Sequence, residues 1–585
     1  MKELQQLNQY FLKYKFRMII GIVITIISKV FTVFTPRFTG NAIELIETYI
    51  AQENSSFEAF KNELIYYILL ILGVSLVAAF FTFLMRQLLI VMSRLIEFDL
   101  KNNVFKQYEL LSQNFYKQNR TGDLMNRISE DVSRVRMYFG PAIMYSINTI
   151  TLFVILIPMM VSTAPKLALY TLLPLPILSI AIYKLSKEIH LRSTTVQEYL
   201  SKLTIFTQEA FSGIAVIKAY GISNNSNQQF ELLAEDSKQK NMDLVKVQAW
   251  FFPFMILLIG LSNVLVIYIG GMQYINGTIK SIGTLIEFLL YVNMLTWPVA
   301  TVGWVTSIIQ QAEASQKRIN EFLNITPEII NPNTEEYTFD TGIEFKNVSF
   351  TYPDTNITAL KNISFKIDKG HSFAIIGQTG SGKSTLLNLI SRLHDVSEGE
   401  ILIGGQNITT HNLTLLRNHI GVVPQDPFLF SDTIANNIKF GKSDASEEDI
   451  INAAKNADVH DNIIQFKDGY QTVLGERGIT LSGGQKQRVS IARAIIKNPD
   501  ILLFDDCLSA VDTETEETIL NNLKTVSNSK TTIIVSHRIS SVKNAETILV
   551  LDNGEIIQKG THNQLISEQG YYQELHQKQL SEKEQ

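Results

Sequence analysis

The sequence is short of cysteine and of net positive charge, and each shortage excludes a class of protein. Its single cysteine, Cys507, cannot form a disulfide within the chain, so nothing indicates an oxidising compartment. The formal net charge is −5, which gives no support for a nucleic-acid partner. The sequence therefore predicts neither a disulfide-stabilised secreted protein nor a nucleic-acid-binding protein.

Charged residues are also unevenly distributed. They become sparse over about the first 310 positions and return afterwards. The whole chain is 46% hydrophobic and its mean hydropathy is +0.10, too apolar for a purely soluble protein. At 585 residues it also exceeds what one hydrophobic core can organise. This pattern predicts a membrane half followed by a soluble half.

The first half contains six apolar stretches long enough to cross a membrane. A helix needs about 20 residues to span about 30 Å of hydrocarbon. The six stretches are 18–40, 64–90, 137–162, 167–187, 250–275 and 281–305. We therefore expect a multi-pass protein of the cell (plasma) membrane that is in contact with the lipid bilayer.

The connections between these stretches differ in positive charge. The three short ones are poor in Lys and Arg, whereas the two long ones are rich in both. Because positively charged loops stay in the cytoplasm, the long connections and both termini are predicted to be cytoplasmic. Both long connections keep helical periodicity, and each is interrupted once, at Asn114–Arg127 and at Phe211–Lys218. Each interruption is either a turn that docks on another domain or a solvated loop.

Two charged residues lie within the predicted spans. Lys29 is in the middle of the first, and Glu287 is in the outer part of the sixth. A charge in hydrocarbon is costly unless it is paired or hydrated. Each residue therefore has two possible roles. It faces a polar cavity and contacts substrate, or it is structural, with its charge either extended to the membrane surface or paired with the other residue.

The soluble half contains a phosphate-binding loop. Its residues fit the pattern Gly, four residues, Gly-Lys-Ser and are Gly377, Gln378, Thr379, Gly380, Ser381, Gly382, Lys383 and Ser384. The strand-like Ser372–Ile376 precedes the loop and a helix-like run from Thr385 follows it, which is the context this motif requires. Backbone N–H groups at the helix start would bind the phosphates, Lys383 would contact the β- and γ-phosphates, and Ser384 would bind Mg²⁺.

Two further motifs in the soluble half fit nucleotide chemistry. The apolar run from Ile501 ends in two carboxylates, Asp505 and Asp506. In phosphate-loop nucleotidases a strand of this kind carries the Asp that helps to hold Mg²⁺. Between the loop and this strand lies a glycine pair at a predicted helix start. Its residues are Ser482, Gly483, Gly484 and Gln485. This second anion site would serve another nucleotide, because one γ-phosphate does not need two helix N-termini from the same chain.

The pattern divides the chain into three parts. Residues 1–310 are predicted to form an all-α membrane domain with six spans and two cytoplasmic hairpins, and 311–342 a linker. Residues 343–585 alternate strand and helix around the phosphate loop, so they are predicted to form an α/β nucleotide-binding domain.

Nearly the whole chain resembles a half-transporter of the ATP-binding cassette (ABC) exporter family. The motifs that carry the resemblance are Tyr352 in Phe350-Thr-Tyr-Pro, the loop at 377–384, Gln425 in Val423-Pro-Gln-Asp-Pro, Gly475-Glu-Arg-Gly478, Leu481-Ser-Gly-Gly-Gln485, Asp505-Asp506, Ser509-Ala-Val-Asp512 and His537 in Ser536-His-Arg. The interruptions near Arg120 and Gly213 are similar to the family's two coupling helices. The resemblance implies that Tyr352 stacks on adenine, and that two chains pair and sandwich two ATP molecules between one chain's phosphate loop and the other chain's signature motif.

The resemblance also assigns roles around the reacting phosphate. It implies ATP and Mg²⁺ as cofactors, with Ser384, Gln425 and Asp505 as metal-binding residues. It implies Gln425, Asp506 and His537 as catalytic residues. The family normally has Glu where this chain has Asp506, and that carboxylate is one methylene shorter. A displacement near 1 Å can lower a rate about 100-fold, although a shift of the loop, or His537, could compensate.

The Asp506 pattern is similar to one subunit of bacterial heterodimeric multidrug exporters. The sequence therefore predicts ATP-driven export of small hydrophobic or amphipathic compounds, with a second half-transporter supplying the Glu and with slow hydrolysis at this chain's own site. Two alternatives remain: a homodimeric lipid or peptide exporter, and a membrane ATPase that senses a ligand without moving it. The six spans exclude a soluble phosphate-loop enzyme.

Overall fold

The computed structural model describes residues 3–51, 56–331, 340–475, 478, 481–509, 511, 513–526 and 529–583. These residues divide into two compact units. One comprises Met1–Tyr108 and Gly122–Ile325, and the other comprises Glu109–Thr121 and Thr326–Gln585. We call them the membrane unit and the nucleotide unit.

The membrane unit is helical. After a short 3-10 turn at Glu3–Leu7, its helices, together with the short α4 at the hairpin tip, are α1 Asn8–Lys13, α2 Lys15–Ala51, α3 Phe57–Leu110, α4 Gln113–Gln118, α5 Thr121–Asn126, α6 Val132–Met137, α7 Ile143–Thr163, α8 Pro165–Leu172, α9 Pro174–Ser212, α10 Ile214–Ala219, α11 Ser223–Gln248, α12 Phe251–Ile275 and α13 Ile282–Leu323. Single π-turns at Arg127–Asp131 and Tyr138–Ala142 join α5, α6 and α7 into one continuous helical run.

Among the described residues, six helical runs are long and apolar enough to cross a membrane. Each matches one of the six predicted stretches, although the last run begins at Ile282, one residue after the predicted start. The six-span prediction is therefore confirmed. The runs are longer than a bilayer requires: α3 alone has 54 residues, about 80 Å at 1.5 Å per residue. Helical periodicity beyond the apolar stretches correctly indicated that the helices continue past those stretches.

Close packing of α2 against α13 depends on two glycines. A Cβ on Gly283 would lie 2.1 Å from the carbonyl oxygen of Gly40, and one on Gly40 would lie 2.8 Å from the carbonyl oxygen of Gly283. Small residues allow such close backbone approach between membrane helices, where van der Waals contact drives association. Beyond this contact, the Glu47 carboxylate of α2 accepts hydrogen bonds from Ser281 Oγ at 3.0 Å and from the Ile282 N–H at 2.8 Å, at the start of α13.

The helical run breaks at both predicted interruptions. The first contains the short helices α4 and α5, and the second contains α10, flanked by Gly213 and by Gly221 at φ +67°. Large side chains at the second tip are exposed, including Phe211 at 72% and Tyr220 at 79%. Residues 109–121 of the first tip belong to the nucleotide unit, where Ser112 Oγ and Asn114 Nδ2 donate hydrogen bonds to the Glu328 carboxylate at 2.6 and 3.1 Å.

The sixth membrane helix extends past residue 310. It continues to Leu323 and buries Ala312, Ile319 and Phe322 at helical spacing, so the first part of the interval 311–342 is helix rather than irregular connector. Its polar residues belong to an amphipathic helix end and do not mark a break. Residues 332–339 lie outside the described part of the chain.

The described residues of the nucleotide unit form two sheets. The strands are β1 Ile343–Thr351, β2 Thr358–Ile367, β3 Ser372–Gly377, β4 Glu398–Ile403, β5 Gln406–Asn407, β6 Ile420–Val423, β7 Ile501–Asp505, β8 Thr531–Val535, β9 Thr547–Asp552 and β10 Glu555–Gly560. An antiparallel sheet has the order β2-β1-β4-β5, and a mainly parallel sheet has the order β10-β9-β3-β8-β7-β6. This architecture confirms the predicted α/β domain.

Helices accompany these sheets in the described part of the nucleotide unit. They are α14 Lys383–Ile390, α15 Leu413–Asn418, α16 Ile434–Lys439, α17 Glu447–Asn456, α18 His460–Ile464, α19 Gly483–Ile496, α20 Thr513–Val526, α21 Ile539–Val542, α22 His562–Ser567 and α23 Tyr571–Lys583. Residues Phe373–Ile376 of β3 are at most 1% exposed, as expected for a strand with both faces covered. The carboxyl end of this buried strand leads directly into the phosphate-binding loop, so the core fixes the position of the loop.

Candidate nucleotide site

The phosphate-binding loop joins β3 to α14 through two glycines in the left-handed region. Gly380 has φ +83° and Gly382 has φ +99°. A Cβ on Gly382 would lie 2.5 Å from the carbonyl oxygen of Ala359, so a larger residue would have to displace the backbone of β2. Both conformation and space therefore require glycine at position 382.

Lys383 is buried at the start of α14. Its Nζ donates hydrogen bonds to the carbonyl oxygens of Gly377 at 2.9 Å and Gln378 at 2.7 Å. Burial lowers the pKa of this ammonium, and the nearby carboxylates of Asp506 and Asp505 partly offset that effect. The ammonium is thus held inside its own loop, next to the N–H groups at the helix start.

Ser384 and Asp505 bring two oxygen ligands together. Ser384 Oγ lies 3.0 Å from Asp505 Oδ1, to which it donates a hydrogen bond. Burial raises the pKa of Asp505, and the bond from Ser384 opposes this shift. Adjacent hydroxyl and carboxylate oxygens fit Mg²⁺, which uses few protein ligands and completes its shell with phosphate and water. Within the described residues, no group of three or more His, Cys, Asp or Glu side chains could hold a metal ion.

Asp506 is held in an unusual backbone conformation directly after β7. Its φ is +43°, a region that Asp tolerates better than most residues. The side chain is buried, and its Oδ1 has no hydrogen-bond partner among the described residues. His537 lines the same cavity, and the pKa of this imidazole is lowered by burial and then by the Lys383 charge. The neutral imidazole is therefore favoured at neutral pH.

Tyr352 closes another side of the cavity. Its hydroxyl lies 3.0 Å from Thr385 Oγ1, and its ring packs edge-on against Phe350 with 4.9 Å between the ring centroids. Lys117 Nζ, from the first hairpin tip, lies 4.7 Å from the centroid of the Tyr352 ring. The ring is thus held by the phosphate-loop helix and contacted by residues 109–121 of the same unit.

The cavity has a volume of about 730 Å³. The predicted site residues that line it are Tyr352, Thr379, Gly380, Gly382, Lys383, Ser384, Thr385, Gln425, Asp505, Asp506 and His537. The predicted residues Gly377, Gln378 and Ser381 shape the loop but do not line the cavity. Sequence reasoning missed other lining residues, which are Ile357, Thr358, Ala359, Lys361, Val535, Asn553 and Gly554. Only the turn-forming pair Asn553-Gly554 carries a local signal.

The four residues of the second predicted anion site lie apart from this cavity. The side chains of Ser482 and Gln485 form a capping box at the start of α19, with bonds of 3.3 Å and 3.0 Å to each other's backbone N–H groups. Ser482 and Gly483 are exposed, and neither Gly484 nor Gln485 lines the cavity. Glu476, Arg477, Ala510 and Asp512 of the neighbouring motifs lie outside the described residues.

Comparison with known proteins identifies the family. Residues 18–299 match the model of the ABC transporter transmembrane region, and residues 360–509 match the ABC transporter model. The chain is 38% identical over 480 residues to "Multidrug resistance-like ATP-binding protein MdlA" of Escherichia coli (strain K12), covering 82% of this chain and 81% of that protein. This chain belongs to the ABC transporter family.

A further relative and a solved structure support the same family assignment for this ABC transporter. It is 36% identical to "ATP-dependent lipid A-core flippase" of Syntrophus aciditrophicus (strain SB), over 83% of this chain and 80% of that one. It is similar in structure to a chain from "Structure of a bacterial Atm1-family ABC exporter with ATP bound", with a TM-score of 0.77, 27% identity and coverage of 96% and 99%. The protein is therefore a multi-pass ABC exporter that binds ATP and couples ATP hydrolysis to transport.

Proposed function

We propose that this exporter moves hydrophobic or amphipathic compounds of the multidrug type across the cell membrane, as one half of a heterodimer. The second half-transporter supplies the Glu that this chain lacks, and the site built on this chain's phosphate loop hydrolyses ATP slowly. The observation that carries the proposal is the position of Asp506, whose short carboxylate is buried at the end of β7.

The backbone around Asp506 leaves little room for compensation. Its N–H donates a 2.9 Å hydrogen bond to the carbonyl oxygen of Val535, and its own carbonyl oxygen accepts a 2.9 Å bond from Ser509 Oγ. A forward shift of about one methylene would have to break these bonds. The Asp506 carboxylate therefore stays one methylene short of the position that a Glu carboxylate would reach. A misplacement near 1 Å lowers the reaction rate about 100-fold when a carboxylate must orient a nucleophile.

Two further features support a second chain. The signature residues Ser482 and Gly483 are exposed and lie outside the nucleotide cavity, as expected if they serve an ATP bound to a partner. The exposed Phe211, Val216 and Tyr220 at the second hairpin tip provide an apolar surface of the kind that protein interfaces use. The exposed signature fits pairing of two nucleotide-binding domains around two ATP molecules, and the apolar tip fits contact with a second chain.

The direction and the substrate class rest on charge and on the relatives. The cations of the two long connections favour cytoplasmic hairpins and termini. Relatives named as multidrug resistance-like support a small hydrophobic or amphipathic substrate. The relative named as a lipid A-core flippase supports a second candidate, a homodimeric lipid exporter. Asp506 disfavours that candidate, because a homodimer would contain two sites without the Glu.

Transport assays with this chain alone and with a partner test the proposal. Inside-out vesicles are prepared from cells that express this chain, a Glu-bearing half-transporter from the same genome, or both. We expect ATP-dependent uptake of a lipophilic dye only when both chains are present, and loss of uptake when Lys383→Ala is introduced. Equal uptake by this chain alone would support the homodimer instead.

A further inference from the structure

The membrane unit contains a cavity with a charged wall. It has a volume of about 650 Å³ and lies between α2, α7, α12 and α13. Among the described residues that line it, Lys29 carries the one formal charge. The aromatic side chains of Tyr145, Trp297 and Trp304 form much of the remaining wall, and Tyr145 packs edge-on against Trp304 with a centroid distance of 5.4 Å.

The Lys29 ammonium has no acidic partner within the described part of the chain, where every ion pair involves other residues. The second charge predicted within the spans is differently placed. Glu287 is buried away from this cavity, and its carboxylate accepts a hydrogen bond from the Tyr291 hydroxyl. Lys29 therefore faces a space large enough for a ligand, whereas Glu287 does not line this cavity. An unpaired charge at this depth is costly, and an anion in the cavity would offset that cost.

The charge balance of the cavity favours an anion over a cation. The hydroxyls of Thr32 and Thr301 already donate to helix carbonyl oxygens, at 2.7 Å to Ser28 and 2.9 Å to Pro298, so they offer no proton to a ligand and the selection rests on Lys29. No carboxylate of the described residues lines the cavity, so nothing there would neutralise a cationic ligand.

From these observations we infer that the cavity binds an amphipathic anion, with its sulfate, phosphate or carboxylate head against Lys29 and its apolar body against Trp297 and Trp304. The inference rests on the proposed export function and specifies the charge of its substrate. A small anionic compound and an anionic lipid share this chemistry. Both would be selected over a cationic amphiphile of the same shape.

Tryptophan fluorescence can test the inference directly, because two of the three tryptophans line the cavity. In a Trp250→Phe background, the emission comes from Trp297 and Trp304. The full chain is placed in phosphatidylcholine nanodiscs without ATP. It is titrated with a nitroxide-labelled alkyl sulfate and, separately, with a nitroxide-labelled alkyltrimethylammonium of the same chain length. Excess unlabelled alkyl sulfate separates saturable quenching from partitioning into lipid.

We expect saturable quenching by the sulfate and only non-saturable quenching by the ammonium probe. Lys29→Met should weaken sulfate binding about tenfold or more, since hydrogen bonds to charged groups are among the stronger ones. Lys29→Arg should retain binding within about threefold. Lys166→Met, an exposed lysine outside the cavity, is the matched control and should leave binding unchanged. Nucleotide binding by each variant checks that it is folded.

Equal saturable binding of both probes by the native cavity, or unchanged sulfate binding in Lys29→Met, overturns the inference. If Lys29→Met does not fold, comparing the two probes on the native chain and on Lys29→Arg still decides whether the cavity prefers an anion. If phosphatidylglycerol added to the nanodiscs competes with the sulfate probe, the natural anion is a lipid. If phosphatidylglycerol does not compete, the natural anion is a free compound. Because the assay needs neither ATP nor a partner, failure of the export proposal would not alter its result.

Discussion

The hydroxyl of Ser384 donates a 3.0 Å hydrogen bond to Oδ1 of Asp505, so the first turn of α14 and the end of β7 meet at one point. The two residues are 121 positions apart in the sequence. Their oxygens lie in a cavity that is also lined by Lys383 and His537. Ser384 and Asp505 are therefore the residues that we expect to hold Mg²⁺, whose charge would offset that of the ATP phosphates.

Removing the Ser384 hydroxyl should weaken ATP binding only when Mg²⁺ is present. We expect Ser384→Ala to lower Mg²⁺-dependent affinity about tenfold, because one oxygen ligand is lost, and to leave affinity in EDTA nearly unchanged. Titration with a fluorescent ATP analogue measures both. The matched control is Ser391→Ala, just after the same helix, whose hydroxyl donates to the Leu387 carbonyl oxygen. An equal loss in EDTA would show that Ser384 acts on the fold and not on the metal.

Tyr352 should affect the base of the nucleotide and not its phosphates. Stacking of a base on an aromatic ring contributes about 1–3 kcal/mol. We therefore expect Tyr352→Ala to weaken ATP binding about tenfold while leaving binding of inorganic triphosphate unchanged. Tyr352→Phe, which keeps the ring and loses the bond to Thr385, should stay within about threefold of the native affinity. Competition titrations with the two ligands distinguish these results, and equal losses for both would contradict adenine stacking.

The approach of α2 to α13 should not tolerate a methyl group. In Gly283→Ala the new Cβ would lie 2.1 Å from the Gly40 carbonyl oxygen, so the helices must separate. Overpacking of this kind typically costs about 1–3 kcal/mol. Thermal unfolding in detergent should show a lower Tm. Gly271→Ala is the control, because a Cβ there meets nothing within 4 Å. A Tm for Gly283→Ala equal to that of the control would refute the packing.

The stability of the nucleotide unit should fall on mild acidification. The pKa values of His394, His411, His537 and His562 all lie below the ordinary 6.5, and burial is the first cause for each. Below about pH 6.5 the unfolded chain binds more protons than the folded chain, so stability decreases as the pH falls through that value.

Denaturant titrations of the full chain between about pH 7.5 and 5.5 measure this slope. His411→Gln should make it shallower, because His411 is buried and its Nε2 lies 3.2 Å from the Ile403 carbonyl oxygen, a contact that a glutamine amide can replace. Stability that rises on acidification, or an unchanged slope in the variant, would contradict this assignment.

Local patterns in the sequence were enough for the features that depend on neighbouring residues. The strand before Gly377, the helix after Gly382 and the six spans all follow from short runs of apolar residues and glycines. Features that depend on distant contacts could not be predicted. Asn553 and Gly554 reach the nucleotide cavity because the β9–β10 turn lies against β2, where Lys361 N–H donates to the Gly554 carbonyl oxygen at 2.8 Å.

Helix rotation explains the main ambiguity in the membrane unit. Hydropathy places Lys29 and Glu287 in spans but does not determine which way either faces. The packing places Lys29 on a cavity wall and Glu287 against Tyr291. The connector after residue 310 was similarly unpredictable, because its polar residues hide the buried spacing of Ala312, Ile319 and Phe322.

ATP turnover measured on this chain alone and in complex with a Glu-bearing half-transporter tests the proposed asymmetric exporter most directly. We predict slow hydrolysis by the lone chain, at least about tenfold below the complex. In the complex, Asp506→Asn should retain most of the turnover, whereas replacement of the partner's corresponding Glu by Gln should abolish it. Brisk hydrolysis by the lone chain that Asp506→Asn abolishes would contradict the account and make Asp506 the working base of a homodimer.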